Sequence, residues 1–281
     1  MSYFLASLKE DLNSDLILIG FPFDSTTTYK PGSRFAPNSI REASISIETY
    51  SPYQKISLED FKFSDLGDIE LPIGDTQMTL EVIYETIKKY SNKFIYSLGG
   101  EHLITFPILK ALREKYKNEK IILLDFDAHT DLRDNYLGVK FSHSTVVKRI
   151  LELGNIDLIG IGIRAGTQEE FEEIEKMNSI FKIDQVEIIN RKLANHLFYI
   201  TIDIDAFDPS IVPAVSNPEP NGINFIEFIN LISNLSFKNL IGIDLVEVNP
   251  ILEVSNRSSI FASIIVRETI LKIFKDKFRR I

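Results

Sequence analysis

Short runs of apolar residues recur along this chain, and each run ends in a polar residue or a glycine. The runs are rich in β-branched and aromatic side chains and lack the alternation of apolar and polar positions that is typical of a half-exposed strand. Strands that are buried on both faces of a sheet have this pattern. It predicts six strands, at residues 16–20, 94–98, 121–124, 158–163, 197–202 and 240–245.

Segments with the apolar spacing of a helix lie between the strands. They predict helices at residues 79–90, 106–116, 142–153, 168–177, 224–235 and 258–278. Strands that alternate with helices indicate the α/β class, with a mostly parallel central sheet that carries helices on both faces. No internal repeat or long linker divides the chain, so we expect a single three-layer α/β/α domain over residues 1–281.

The composition excludes several classes of protein. The 281 residues include 31 Lys and Arg against 40 Asp and Glu, a net charge of −9, and the one concentrated basic run is Lys275, Lys277, Arg279 and Arg280. A nucleic-acid partner needs a larger basic surface and is therefore not expected. The absence of cysteine excludes disulfides, a thiolate nucleophile and a cysteine-based zinc site.

The lengths of the apolar stretches and the positions of the charged residues indicate where in the cell the protein is expected. No apolar stretch approaches the ~18 residues of a membrane span. Charged residues interrupt the first fifteen positions before an apolar run reaches the length of a signal peptide. We therefore expect a cytoplasmic protein without a membrane partner.

Polar side chains follow the predicted strand at residues 121–124, at the edge where parallel sheets bind ligands. They are Asp125, Asp127, His129 and Asp131, which alternate along the chain. Alternate residues of an extended segment point to one side, so three potential ligands can converge there.

Two further runs repeat this design. Asp203 and Asp205 stand two apart at the end of the strand at residues 197–202, with Asp208 in the turn that follows, and His102 follows a diglycine after an earlier strand. Taken singly, an aspartate after a strand is commonly a helix cap or a turn former. A histidine after two glycines is equally compatible with a surface loop.

Convergence of these runs changes the interpretation. Four carboxylates, those of Asp127, Asp131, Asp203 and Asp205, would repel one another strongly in a crevice of low dielectric, and the basic residue nearest in sequence is Arg133. Two divalent cations would neutralise them. Because carboxylates with some imidazole suit Mn²⁺ or another hard-to-borderline ion, the sequence predicts a binuclear metal site rather than a structural acid cluster.

Three motifs resemble those of the ureohydrolases, the family of arginase, agmatinase and their relatives. They are Gly-Gly-Glu-His at residues 99–102, Asp-Ala-His-Thr-Asp at residues 127–131 and Asp-Ile-Asp-Ala-Phe-Asp-Pro at residues 203–209. Further matches lie at residues 29–44, 141–143 and 244–250. The resemblance covers nearly the whole fold and implies an arginase/deacetylase-like architecture. Glu101 stands where many members have aspartate.

The resemblance also implies two Mn²⁺ ions per subunit. One ion would be bound by His102, Asp127, Asp131 and Asp203, and the other by Asp127, His129, Asp203 and Asp205. Asp127 and Asp203 would then bridge the two ions. Two metals about 3.5 to 4 Å apart lower the pKa of a shared water and supply hydroxide near neutral pH. This is the nucleophile that a guanidinium carbon requires.

Two further residues take roles from the same resemblance. Glu247 matches the family carboxylate that pairs with the substrate guanidinium and aims its carbon, and His143 matches a histidine that is a candidate proton shuttle. Without the resemblance, Glu247 is a surface residue at a strand end and His143 is a loop imidazole. His196 precedes a strand and is expected to be structural. Asp125 and Asp208 are either hydrogen-bond partners of the site or turn residues.

The expected substrate is a small cationic guanidino compound. The loop at residues 132–142 resembles that of agmatinase-type members, especially archaeal ones, which implies hydrolysis of agmatine to putrescine and urea by a trimeric or hexameric homo-oligomer. A net charge of −9 suits a dicationic substrate. Alternatives with the same ligands are N1-aminopropylagmatine ureohydrolase, guanidinobutyrase, formiminoglutamase and arginase.

Two interpretations from other classes compete with this one. A deacetylase of the same broad fold uses a single Zn²⁺ and needs paired histidines, and the chain contains no His-His pair. A catalytically silent metal-binding or regulatory homologue would have a broken ligand set, whereas all six candidate ligands are present. The sequence therefore favours a hydrolase.

Overall fold

The computed structural model describes residues 2–278, so Arg279 and Arg280 of the basic run lie outside the described residues. The strands are β1 Leu8–Lys9, β2 Leu16–Phe21, β3 Tyr50–Ser51, β4 Ile56–Ser57, β5 Ser64–Asp68, β6 Phe94–Gly99, β7 Ile121–Phe126, β8 Ile156–Ile161, β9 Ile180–Phe181, β10 Leu197–Asp203 and β11 Leu240–Val246. The α-helices are α1 Ala36–Ser44, α2 Thr76–Lys89, α3 Thr105–Lys115, α4 Val146–Leu151, α5 Gln168–Lys176, α6 Val186–Leu193, α7 Phe225–Asn234 and α8 Arg257–Ile273. A π-helical turn at Phe274–Phe278 continues α8.

Nine of the strands form one sheet, in which every neighbouring pair is parallel. Their order is β1, β5, β2, β6, β11, β10, β7, β8 and β9. The outermost strands, β1 and β9, have only 2 residues each. β3 and β4 form a separate antiparallel pair. The predicted α/β class with a parallel central sheet is confirmed.

The core lies in two layers because side chains alternate along each strand. On β2, Leu16 and Leu18 belong to the apolar layer formed with α1, α6, α7 and α8. Ile17 and Ile19 belong to the layer formed with α2, α3, α4 and α5. The central strands are therefore buried on both faces, which explains their continuous apolar runs. In the described part of the chain, no helix is long and apolar enough to cross a membrane.

The apolar pattern does not predict β5. This strand has the sequence Ser-Asp-Leu-Gly-Asp, which contains two carboxylates and a glycine, yet it lies between β1 and β2. The pattern also does not predict α1 or α6. In the structure, the aspartates of β5 are paired with a positively charged side chain of α1, which lies in a different part of the sequence.

That charge is Arg41 of α1, whose side chain is fully buried. Its Nε and Nη2 donate to Asp65 Oδ2 and Oδ1 at 2.8 and 3.0 Å, and its Nη1 donates to Asp68. Burial alone would lower the pKa of Arg41, but its hydrogen bonds to Asp65 raise the pKa above its ordinary value. The same carboxylate accepts the backbone N–H of Phe4 at 2.8 Å. Arg41 and Asp65 therefore join α1, β5 and the N-terminal segment.

We predict that Arg41→Met lowers the free energy of unfolding by about 3 to 5 kcal/mol, because it leaves the buried carboxylate of Asp65 without its cation. Urea denaturation followed by circular dichroism measures this loss. The matched control is Arg191→Met at an exposed position of α6, which is expected to change stability by less than about 0.5 kcal/mol. Equal stability of the two variants would contradict a structural role for the Arg41 pair.

Candidate metal centre

Four neighbouring strands deliver the candidate site residues to one edge of the sheet. The strands lie side by side in the order β6, β11, β10 and β7 and all point the same way. His102 follows β6, Glu247 follows β11, Asp203 ends β10, and Asp127 follows β7. Residues distant in sequence meet because parallel neighbours end together.

The six predicted ligands come together at this edge. His102 Nδ1 lies 3.2, 3.3 and 3.5 Å from carboxylate oxygens of Asp127, Asp131 and Asp203. His129 Nδ1 lies 3.0 Å from Asp205 Oδ2 and 3.5 Å from Asp127 Oδ1. Two ligand groups result, and each has its ligand atoms within 4.8 Å of one another: His102, Asp127 and Asp203, and Asp127, His129 and Asp205.

In three of the aspartates, the two carboxylate oxygens have different partners. One oxygen of each accepts a backbone N–H: Asp127 Oδ1 from His129 at 2.6 Å, Asp203 Oδ1 from Asp205 at 3.0 Å, and Asp205 Oδ1 from Ala128 at 3.0 Å. The other oxygen of each lies near a histidine of the cluster. The backbone thus fixes each carboxylate and leaves one oxygen directed into the cluster.

Unpaired atoms at the centre of this cluster fit a metal. His102 Nδ1 and Asp127 Oδ2 are buried, and neither has a hydrogen-bond partner of good geometry among the described residues. Buried polar atoms are normally paired, so such atoms need an explanation. Carboxylate oxygens and imidazole nitrogens are ligands for divalent ions. The two groups share Asp127, which is the arrangement expected of a binuclear metal site.

The electrostatics of the cluster also favour added positive charge. Burial, followed by the charges of Asp205 and Asp127, raises the pKa of Asp203 well above its ordinary value. Burial and the charge of Asp127 raise the pKa of Asp131 to about 6. Burial alone would lower the pKa of His102, but the nearby carboxylates of Asp127 and Asp131 raise it above its ordinary value. Cations at this position would relieve the repulsion among the acids.

Local backbone geometry supports the positions of two site residues. Asp131 and Glu247 have φ angles of 48° and 66°, in the left-handed region that non-glycine residues rarely adopt. Such conformations concentrate at functional sites, where the surrounding structure holds them. Gly100 must be glycine for a different reason, since a Cβ there would lie 2.0 Å from the carbonyl oxygen of Phe23.

Glu247 and His143 line the same cavity of about 300 Å³ as the cluster. Glu247 Oε1 accepts the backbone N–H of His102 at 2.8 Å, so this residue is a buried part of the site rather than a surface residue. Burial and the charge of Glu101 raise the pKa of Glu247 well above its ordinary value. Burial lowers the pKa of His143 to about 4, so its imidazole is neutral at neutral pH.

The remaining sequence candidates have separate positions. Asp208 is a turn residue, since it accepts N–H groups of Ser210 and Gly222 at 3.0 and 3.1 Å. Hydrogen bonds from Ser210 lower the pKa of Asp208 to about 2. Asp125 is buried within β7, where its Oδ1 has no hydrogen-bond partner among the described residues. His196 precedes β10, at the end of the strand opposite the cluster.

Sequence reasoning missed the groups that support His102. Its Nε2 lies 3.0 Å from Thr201 Oγ1, which donates at 2.6 Å to the buried carboxylate of Asp244. Asp244 also accepts hydrogen bonds from Thr105 and Tyr199 at 2.9 and 2.8 Å. Thr201 precedes Asp203 by two residues and shares its strand face, which is the one signal that could have identified it.

The comparisons with known proteins agree with this geometry. A model of the arginase family matches residues 14–272. The chain is 40% identical over 277 residues to an agmatinase of Bacillus cereus, covering 95% of each protein. It is 35% identical over 256 residues to an N(1)-aminopropylagmatine ureohydrolase of Thermococcus kodakarensis, covering 86% of this chain and 85% of that protein. The crystal structure of the agmatine ureohydrolase of Thermoplasma volcanium has a TM-score of 0.82 at 29% identity, covering 98% of this chain and 96% of that one.

A parallel α/β sheet with paired imidazole and carboxylate ligands at its carboxyl edge defines a class of metal-binding hydrolases. The match over residues 14–272 and the identity to its relatives make the assignment specific. The chain belongs to the arginase family, the ureohydrolases, as its sequence motifs predict.

We predict that the metal-free protein binds two equivalents of Mn²⁺ and that Asp203→Ala weakens this binding by more than about tenfold. Residues that only hydrogen-bond to a metal ligand commonly contribute about tenfold or more to metal affinity, so loss of a ligand itself should cost at least as much. Calorimetric titration with MnCl₂ measures stoichiometry and affinity. Asp208→Ala is the matched control, because Asp208 lies in a turn and should leave both equivalents in place. Unchanged affinity in Asp203→Ala would remove Asp203 from the ligand set.

Proposed function

We propose that the chain is a manganese-dependent agmatinase that hydrolyses agmatine to putrescine and urea. The observation that carries the proposal is the pair of ligand groups sharing Asp127, with the Glu247 carboxylate in the same cavity. The agmatinase of Bacillus cereus, 40% identical over 277 residues, supports the choice of substrate. A cytoplasmic location and a trimeric or hexameric assembly stay predictions.

In this proposal the six clustered residues would hold two Mn²⁺ ions, and Asp127 and Asp203 would contribute to both ligand sets. The ligand set is His102, Asp127, His129, Asp131, Asp203 and Asp205. Two such ions supply the Lewis acidity that lowers the pKa of water and so makes a nucleophile available near neutral pH. The residues fit this role because their unpaired atoms converge and their charges require cations.

Glu247 orients the substrate. A carboxylate can pair with a guanidinium through two parallel hydrogen bonds, which fixes the plane of the guanidinium as well as its position. The His102 N–H holds one carboxylate oxygen of Glu247 at 2.8 Å, and the backbone N–H of Glu247 donates to the Gly100 carbonyl at 2.7 Å. These contacts tie the guanidinium-binding carboxylate directly to a ligand-bearing turn.

His143 moves a proton. Its imidazole is neutral because burial lowers its pKa to about 4, so a ring nitrogen is free to accept a proton from the attacking water. The water oxygen bonds to the guanidinium carbon, His143 passes the proton it received to the alkyl nitrogen, and the bond between this nitrogen and the carbon breaks. The second proton of the water passes to the departing amine as the carbonyl of urea forms, so putrescine leaves with that end as an ammonium group and urea remains.

The charges of the cavity wall favour an ammonium tail over a carboxylate tail. Of the described residues that line the cavity, Arg133 is the one lysine or arginine, and its Nε already lies 3.7 Å from Glu170. Its guanidinium also stacks over the Tyr136 ring at 4.8 Å. Glu219 adds a further carboxylate to the lining. The wall therefore suits agmatine better than arginine or guanidinobutyrate.

A urea assay of the Mn²⁺-loaded protein tests this assignment. The substrates are agmatine, arginine, 4-guanidinobutyrate and N1-aminopropylagmatine at equal concentration. We expect kcat/KM for agmatine to exceed those for arginine and 4-guanidinobutyrate by at least about tenfold, because the carboxylate of these two substrates would lie against an acidic wall without a pairing group. We also expect agmatine to be preferred over N1-aminopropylagmatine. Preferred turnover of any of the other three substrates would refute the assignment to agmatine.

We further predict that Glu247→Gln keeps two equivalents of Mn²⁺ but lowers kcat/KM for agmatine by about 10² to 10³, a loss of the size seen when a preorganised charge interaction is removed. Glu187→Gln, at an exposed position of α6, is the matched control and should behave like the parent. Loss of metal from Glu247→Gln would instead place Glu247 among the ligands.

A further inference from the structure

A hydroxyl group from a different loop contacts His143, and it has no assigned role. Thr26 lies in the segment after β2, and its Oγ1 accepts the backbone N–H of His143 at 3.1 Å. The same oxygen lies 3.5 Å from His143 Nδ1. Resting on the proposed role of His143 as proton shuttle, we propose that Thr26, held by Glu101, is a positioning residue that keeps the His143 proton on Nδ1.

The argument follows from the single proton of the hydroxyl. Thr26 Oγ1 donates that proton to the buried carboxylate of Glu101. Glu101 also accepts the backbone N–H of Thr26 at 2.8 Å and the hydroxyl of Thr27 at 3.3 Å, so it acts as an acceptor toward three donors. Burial raises the pKa of Glu101 to about 7. In its ionised form Glu101 takes the hydroxyl proton of Thr26, so Thr26 Oγ1 can only accept from the His143 ring.

An accepting oxygen beside Nδ1 selects one tautomer of the neutral imidazole. The proton then resides on Nδ1, and Nε2 carries the free lone pair. His143 can accept a proton at Nε2 without first changing tautomer. The 3.5 Å separation is long for a hydrogen bond, as is common at catalytic groups before substrate binds. An edge-on contact with Tyr136, with ring centroids 5.9 Å apart, also restricts the ring.

The loop that carries Thr26 is anchored at both ends, which makes it suited to positioning. Phe23 accepts the backbone N–H of Glu101 at 2.7 Å, an approach that the missing side chain of Gly100 permits. Asp24 is buried and accepts the N–H of Gly32 at 2.8 Å, and it pairs with Arg34. The loop that carries Thr26 is therefore held in place by contacts that do not include His143.

The longer side chain at position 101 fits this arrangement. Where many ureohydrolases have aspartate, this chain has Glu101, whose carboxylate contacts both Thr26 and Thr27 rather than a ligand of the metal cluster. Its neighbour His102 faces the ligands. Glu101 therefore contacts the residues beside the proposed proton shuttle, whereas its neighbour His102 belongs to the metal cluster.

Three variants of the Mn²⁺-loaded protein test the proposal. Thr26→Val removes the hydroxyl and keeps the shape, Thr26→Ser restores a hydroxyl, and Thr27→Val removes a Glu101 contact without touching the His143 hydrogen bonds. For agmatine we expect Thr26→Val to lower kcat by at least about tenfold with KM little changed. Thr26→Ser and Thr27→Val should stay within about threefold of the parent. All three should bind two equivalents of Mn²⁺.

A spectroscopic measurement on the metal-free protein is independent of turnover. The chain has four histidines, so ¹⁵N shifts of the imidazole nitrogens can be assigned with His143→Asn as a reference. We expect a protonated Nδ1 and an unprotonated Nε2 for His143 in the parent and in Thr26→Ser, and loss of this preference in Thr26→Val. Thr26→Ala serves as a second test if the valine variant does not fold.

The outcomes separate the two proposals. A parent protein that releases no urea from agmatine overturns the proposed function, whereas the ¹⁵N spectra still report the tautomer of His143. An Nε2-protonated His143 in the parent, an unchanged tautomer in Thr26→Val, or a failure of Thr26→Ser to restore kcat overturns the role of Thr26. An equal loss in Thr27→Val also overturns it, because the effect would then pass through Glu101 alone.

Discussion

The structure depends on placing mutually repelling carboxylates at the end of a buried parallel sheet. Four adjacent strands end together, so carboxylates and imidazoles from distant segments of the sequence lie close to one another. Each of Asp127, Asp203 and Asp205 is fixed by one backbone N–H and directs its other oxygen inward. Burial of the strands on both faces supplies the free energy that offsets this repulsion. Affinity for cations is the direct consequence of that arrangement.

Buried aspartates occur in two different electrostatic environments in this sheet. At β5, Asp65 and Asp68 are both paired with Arg41, a cation that belongs to the chain. At the ends of β7 and β10, the described chain places no lysine or arginine in a salt bridge with the clustered acids, and His102 Nδ1 lacks a hydrogen-bond partner of good geometry. The arginine at β5 stabilises the fold, whereas the cluster at the ends of β7 and β10 has no such cation of its own and can bind exchangeable metal ions. This difference separates a structural acid cluster from a functional one.

Much of this was accessible from the sequence, and the omissions have physical causes. Continuous apolar runs identify the central strands because burial on both faces leaves a strong pattern, and the three motifs identify the six candidate ligands. The apolar pattern does not predict β5 because Arg41, which pairs with its two aspartates, lies in a different segment. Thr26 is missed because a hydroxyl carries no pattern of its own. The left-handed backbone at Asp131 and Glu247 is imposed by the surrounding tertiary structure, so local sequence does not reveal it.

The two-residue strands at the margins of the sheet have an effect beyond topology. A long outer strand exposes a row of unpaired amides and carbonyls on which a strand of another molecule can assemble. Here β1 and β9 expose only a short row each. Each of these two strands therefore offers a strand of another molecule few groups with which to pair.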